Sequence, residues 1–307
     1  MARSSSTSAA PRVSLRAQAP AASRGTLASV PPDSRAGLHG RPWVARLRRA
    51  LDHDLFELHF QPILSLRDGT VGHCEALLRL REREDGELIA PGRFLPAAER
   101  YGLIREIDRM VLARVARLLA REPALEGVTV AVNVSARSAT DPGMLAFIAG
   151  MLARHGVEPG RLAVELTETA AISDMESAAA FCGGVLELGC SLSLDDFGAG
   201  FGSLQYLKQL PFSHLKIDGD FIRNLPSCRT DQLLVRALAR IVRGMGRQTI
   251  AEFVGDEPTL NMLRAYDIDY AQGFHVGAPR PLVGSRAPRP VVGSRASQAN
   301  QPPDAPL

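Results

Sequence analysis

The chain is predicted to fold as an α/β protein, a TIM-like (β/α)8 barrel. Strand-like and helix-like runs alternate about seven times over roughly 240 residues, the pattern and size of a parallel barrel. Polar residues fall where the apolar strands finish, and such barrels carry their chemistry there. No GxGxxG follows the first strand, which argues against a doubly wound nucleotide-binding sheet.

The elements follow in order. Residues 43–51 read as a short amphipathic helix, and 56–64 and 71–80 as strands around the turn Arg67-Asp68-Gly69. Residues 104–120 carry apolar side chains at helical spacing, 128–134 form a β-branched run, and 144–155 are helical again. Then come strand 162–166, helix 175–188, strand 191–194 and a glycine-rich loop at 198–202. Strand 215–217, helix 232–244, strand 249–253, helix 258–266 and strand 269–271 complete the series.

Composition bounds what the fold can do. The 307 residues are 45% hydrophobic and 22% charged, ordinary globular material. The net charge of +3 is unevenly shared: residues 1–42 carry six Arg against Asp33 and residues 280–307 four Arg against Asp304, leaving 3 − 5 − 3 = −5 for residues 43–279. An acidic core argues against a duplex nucleic-acid surface and favours a site that gathers cations. No apolar run reaches the roughly 20 residues of a membrane span. Cys74, Cys182, Cys190 and Cys228 show no CxxC spacing, so neither a disulfide framework nor a thiolate zinc site is indicated, and a reducing cytoplasm fits.

Both ends are expected to be disordered. Residues 1–42 are rich in Ser, Ala, Pro and Arg and have little apolar surface to bury. An organelle transit peptide is the alternative, against which stands the lack of a clear amphipathic helix. Residues 282–307 are Pro-rich and basic, and PRPLVGSRA at 279–287 repeats as PRPVVGSRA at 288–296. The expected division is thus a tail at 1–42, a barrel at 43–281 and a tail at 282–307.

The site residues are the acids in or after apolar runs: Glu75, Glu165, Asp195, Asp196 and Glu252, with Asn133, Lys216 and Gln272. Burying so many unpaired charges costs several kcal/mol, and a divalent-metal site is the simplest reason to do it. Carboxylates and an amide oxygen are ligands that magnesium and manganese select, and adjacent aspartates suit a two-metal arrangement. The histidines share no ligand spacing and read as pairing or surface residues. Cys74, beside Glu75, alternates to the opposite face and reads as a core side chain.

These residues also lie in a series of motifs. Glu75-Ala76-Leu77-Leu78-Arg79 is accompanied, in order, by Gln61-Pro62-Ile63, Pro91-Gly92-Arg93-Phe94-Leu95-Pro96, Asn133-Val134-Ser135, Glu165-Leu166-Thr167-Glu168, Asp195-Asp196-Phe197-Gly198, Lys216-Ile217-Asp218, Ala251-Glu252-Phe253-Val254 and Gln272-Gly273. From about Trp43 to Pro281 the chain resembles the EAL-domain family of cyclic di-GMP phosphodiesterases. The resemblance implies a barrel whose first strand is antiparallel, and hydrolysis of the bacterial second messenger cyclic di-GMP to linear pGpG with Mg2+ or Mn2+. It implies Glu75, Asn133, Glu165 and Asp195 as ligands of a first metal, and Asp195 with Asp196 as ligands of a second. Lys216 matches the lysine that holds or activates the attacking water, either by losing its proton or by orienting a hydroxide. Lysine is scarce here, only Lys208 and Lys216 against 34 arginines, which weighs against an incidental surface lysine.

Other roles carried by the resemblance are substrate contacts for Gln61, Arg79 and Asp218, water-positioning for Glu252 and Gln272, and anchoring of the glycine-rich loop 196–204 by Glu168. Arg79 is also readable as a strand-end ion pair, Gln61 as a backbone cap, and Glu252 and Gln272 as structural hydrogen-bonding groups. The same loop is the expected contact of a homodimer, a regulatory protein partner is a further expectation, and the bacterial cytoplasm is the expected location. The chain departs from the family pattern at Phe253, where glycine is usual, at Gly255, where many members have a second glutamate, and at Gly202, where serine is common. A cyclic di-GMP receptor or interaction module without turnover is the alternative function.

Overall fold

The computed structural model describes residues 36–82, 86–198 and 206–282. The strands are β1 (Phe56–Ser65), β2 (His73–Arg81), β3 (Leu88–Ile89), β4 (Thr129–Asn133), β5 (Leu162–Thr167), β6 (Ser191–Phe197), β7 (His214–Ile217), β8 (Gln248–Ala251) and β9 (Tyr270–Gln272). The helices are α1 (Ala36–Asp52), α2 (Leu95–Arg100), α3 (Ile104–Arg121), α4 (Ala136–Ala139), α5 (Met144–His155), α6 (Glu168–Ser173), α7 (Met175–Glu187), α8 (Gly219–Ile222), α9 (Arg229–Gly244) and α10 (Glu257–Ala265).

The sheet runs β1-β9-β8-β7-β6-β5-β4-β2 and closes by pairing β1 with β2, while β3 hangs on β2. The result is the (β/α)8-type barrel that the alternation predicts. Pairs from β2 through β4 to β9 are parallel, and β1 is antiparallel to both neighbours. The β1–β2 connection accounts for the exception: a tight turn joins only antiparallel strands, since parallel ones need a crossover. Asp68 shapes that turn by accepting from the Thr70 amide at 3.0 Å and its hydroxyl at 2.8 Å.

Val130, Val132, Leu162, Val164, Leu192 and Leu215 are fully buried between the sheet and the outer helices, as parallel strands covered on their outer face require. The helices supply the complementary stripe. In α9, Val235, Leu238, Ala239 and Val242 recur at i, i+3, i+4 and i+7 and are its buried residues. Left-handed Gly156 ends α5. Cys74 is buried as expected, and burial pushes its thiol up to about 12. Of the histidines, His59 pairs with Glu57 and His275 with Glu257, each at 2.9 Å.

Several boundaries differ from expectation. Residues 36–42, assigned to the N-terminal tail, belong to α1; Gly37, Gly40 and Pro42 are poor helix formers, which is why the sequence pattern alone starts the helix at Trp43. The short helices α2, α4, α6 and α8 are not anticipated by the sequence pattern, being too brief to show a period. The rest of the expected tails, most of the glycine-rich loop and Gly202 lie outside the described residues.

Candidate active site

The strands bring the expected polar residues to one mouth. Lys216, in β7, is 1% exposed and stands at the centre. Its Nζ lies 2.9 Å from Glu165 Oε2, 2.9 Å from Glu252 Oε1, 3.0 Å from Asp195 Oδ1 and 3.5 Å from Glu75 Oε2. Those four carboxylates come from β5, the residue after β8, β6 and β2. Barrel closure alone makes them neighbours, for Glu75 and Lys216 are 141 positions apart.

Amides orient the Glu75 carboxylate. Asn133 Nδ2 donates to Oε1 at 2.7 Å and Gln272 Nε2 donates to Oε2 at 2.6 Å. Gln272 also donates to Gln61 Oε1 at 3.2 Å, and Gln61 Nε2 donates to the Gly277 carbonyl at 3.0 Å. Gln61 faces Glu75 directly in the β1–β2 register.

Asp195 and Asp196 pose a geometric problem, because neighbours in a regular strand point to opposite faces. The β6–β7 register shifts between Leu194 and Phe197, and Asp196 takes φ 56°. This bulge brings carboxylate oxygens of Asp195, Asp196 and Glu252 within 4.8 Å of one another. The same turn is braced by Glu168, whose Oε2 accepts from the Gly198 amide at 3.1 Å.

The electrostatics follow from burial against compensation. Burial drives the Glu165 carboxyl well above its ordinary range, with Glu75 and Asp195 adding to the effect and Lys216 opposing it. Burial likewise pushes Glu252 up to about 8. Asp196 is raised by burial and by the Asp195 charge. Burial also acts on Glu75, but Lys216 and the bonds from Gln272 and Asn133 leave it lowered. For Lys216 burial favours the neutral amine, yet Asp195, Glu165, Glu252 and Glu75 hold it well above the usual lysine range.

The donor set fits a divalent cation. Glu165 Oε1 is buried without a hydrogen-bond partner, an atom that costs free energy unless something positive meets it. Glu75, Asn133, Glu165 and Asp195 can hold one ion, and Asp195 with Asp196 a second, all through hard oxygen donors.

Residues flanking the cluster differ in their commitments. Arg79 is half-buried and donates from Nη1 to the Leu78 carbonyl at 2.9 Å; among the described residues it makes no ion pair, so the alternative of a strand-end salt bridge is not met. Asp218 caps α8 by accepting from the Asp220 amide at 2.7 Å. Two residues stand out only in the folded chain. Asp108, on the buried face of α3, accepts from the Ser135 amide at 3.0 Å and hydroxyl at 2.6 Å and so braces the turn after Asn133. An acid inside the apolar stripe of Ile104, Ile107 and Val111 was the available signal. Arg223, stacked on Phe253, gave no such signal.

The family model described as "EAL domain" matches residues 44–279, most of the chain. The chain belongs to the EAL domain family. This EAL domain is 34% identical over 243 residues to the cyclic di-GMP phosphodiesterase PdeB of Shewanella oneidensis, covering 78% of this chain and 28% of that protein. It is 36% identical over 239 residues to the cyclic di-GMP phosphodiesterase PdeF of Escherichia coli, covering 78% of this chain and 32% of that protein. The chain thus spans under a third of each of these two relatives. Among solved structures, the PaMucR phosphodiesterase in complex with c-di-GMP superposes with a TM-score of 0.72 at 36% identity, covering 78% of this chain and 98% of that one. The Xanthomonas citri FimX EAL domain, also in complex with c-di-GMP, gives 0.74 at 33% identity over 81% of this chain and 98% of that one. Among the described residues no helix is long and apolar enough to cross a membrane.

Proposed function

We propose that this EAL domain hydrolyses cyclic di-GMP to linear pGpG in the bacterial cytoplasm, using Mg2+ or Mn2+ in a two-metal site. The observation that carries this reading is the convergence of Glu75, Glu165, Asp195 and Glu252 on buried Lys216, with Asn133 and Asp196 at the rim. Every ligand position is filled, which a receptor without turnover has no need to keep.

When bound, the ions acidify the attacking water and place positive charge against the phosphoryl oxygens. The chain does the rest. Asp195, with Glu75, Asn133 and Glu165, would hold one ion, and Asp195 with Asp196, which the bulge turns to the same place, would hold the second. The Lys216 ammonium orients the incoming oxygen and offsets charge gathering on the phosphorus centre. Arg79, which makes no ion pair among the described residues, suits a phosphate oxygen. Gln61 keeps further hydrogen-bonding capacity on both amide atoms for the substrate, and Asp218 is a further substrate contact. Glu252 and Gln272 orient water, and Glu168 holds the loop that positions Asp196. The P–O bond to one 3′ oxygen breaks as the bond to water oxygen forms, and the proton ends on that 3′ oxygen. A homodimer contacting through the loop at 196–204, and a regulatory protein partner, belong to the same proposal.

The test is turnover of cyclic di-GMP by the purified chain, read as pGpG by chromatography. Mg2+ or Mn2+ should support it, and Ca2+ should support binding with little turnover because of its looser coordination. Equal rates in excess EDTA would overturn the mechanism. Tight Ca2+-dependent binding without turnover in any metal would favour the receptor.

A further inference from the structure

Phe253 follows Glu252 and holds φ 53°, a left-handed conformation that is an outlier for a bulky residue. The core does not impose it, since Phe253 is 53% exposed. Two contacts hold the ring instead. It lies on the backbone of Gly219, where a Cβ would come within 2.3 Å of Phe253 Cδ2 and 2.6 Å of Cγ. On the ring sits the Arg223 guanidinium, its central carbon 4.2 Å from the centroid. Gly219 and Arg223 bracket α8, the helix that Asp218 caps.

The backbone on either side is already tied. The Glu252 amide donates to the Ile217 carbonyl at 3.2 Å, and the Val254 amide donates to the Gln272 carbonyl at 3.0 Å. Relaxation of a left-handed Phe253 toward an ordinary conformation would turn the peptide joining it to Glu252 and swing the Glu252 carboxylate. The contacts of the ring oppose that rotation, together with the Lys216 ammonium 2.9 Å from Glu252 Oε1.

We propose that Phe253, clamped between Gly219 and Arg223, is the positioning residue of Glu252: the stack fixes the turn after β8 to the turn after β7 and keeps the Glu252 carboxylate beside Asp195 and Asp196. Its catalytic consequence rests on the phosphodiesterase reading, whereas its effect on ion binding does not.

The experiment is Mn2+ titration of the full chain, followed by the electron paramagnetic resonance signal of free Mn2+, alongside kinetics with cyclic di-GMP. Phe253→Tyr keeps a ring and should match the wild type. Phe253→Ala, which keeps the left-handed strain but loses the ring, and Arg223→Leu should each weaken the looser Mn2+ site roughly threefold, the scale of an exposed cation–π contact, and lower kcat with KM unchanged. Gly219→Ala should displace the ring and show the same loss, and Gly219→Ala with Phe253→Ala should be little worse than Phe253→Ala alone, because the clash with the ring has gone. Wild-type Mn2+ affinity and kcat in Phe253→Ala would overturn the proposal. If the wild type turns over no cyclic di-GMP, the phosphodiesterase reading fails while the Mn2+ titration still decides the clamp.

Discussion

Lys216 Nζ lies 2.9 Å from Glu165 Oε2, and neither side chain is more than 1% exposed. The two groups depend on each other, since an isolated charge at that depth is untenable. Removing the ammonium leaves Glu165, Asp195, Glu252 and Glu75 facing one another without compensation. Lys216→Ala should therefore cost about 3–5 kcal/mol of stability in EDTA, and Mg2+ should recover part of it, since an ion that binds only the folded state stabilises it by mass action. Turnover should fall by orders of magnitude. Thermal melts with and without Mg2+ test this, and a variant that melts like the wild type in EDTA would show that the carboxylates do not rely on Lys216.

Arg79 should behave differently, because it touches no carboxylate of the cluster. Arg79→Ala should weaken cyclic di-GMP binding in Ca2+ by about 1.5–3 kcal/mol, the range for a charged hydrogen bond, with melting nearly unchanged. Calorimetric titration reads the affinity directly. An unchanged affinity would return Arg79 to a purely structural part at the end of β2.

Most of this site was legible in the sequence, because an acid at the end of an apolar strand is costly to bury unless a cation meets it. Glu165 and Lys216 announced themselves by sitting in runs that must be buried. What stayed hidden was geometry that depends on pairing across the barrel. Nothing in the order Asp195-Asp196 shows that a register slip against β7 turns both carboxylates to one place. The strain at Phe253 was likewise invisible, although a left-handed φ is a physical reason for glycine to be usual there. The short helices α6 and α8 depend on capping by Thr167 and Asp218 rather than on a periodic stripe.

At the opposite ends of the same strands, His214 should make stability depend on pH. It is buried at the start of β7 with its ring centroid 6.0 Å from that of His73 and 5.9 Å from that of Tyr270. Burial lowers it to about 4 from an ordinary 6.5, with His73 adding to the effect. Below pH 6.5 the unfolded chain takes up this proton while the folded chain does not, so stability falls as pH drops toward 4 and this contribution then levels off. The full loss is about 3 kcal/mol by linkage. Carboxylates titrate in the same window, so the informative quantity is the difference between wild type and His214→Phe. The variant should lose less stability between pH 6.5 and 4, and parallel curves would show that His214 is not the titrating group.

Gly255 tests whether the chain's departure from the family pattern limits it. A Cβ there would meet nothing closer than the Phe253 carbonyl at 4.0 Å, and Gly255 is not among the glycines with positive φ. Side chains are therefore accommodated. Gly255→Ala should raise stability by about 0.4–1 kcal/mol by restricting the unfolded chain, and Gly255→Glu should raise it by a similar amount. The two variants separate when kinetics are measured. If the carboxylate carried by many relatives at this position anchors the loop that places Asp196, only Gly255→Glu should lower the Mg2+ concentration needed for half-maximal turnover, by at most about tenfold for each 1.4 kcal/mol of population shift. Matching kinetics for the two variants, with both melting above the wild type, would mean that Glu168 on Gly198 already anchors the loop sufficiently and that Gly255 costs the chain stability but not catalysis.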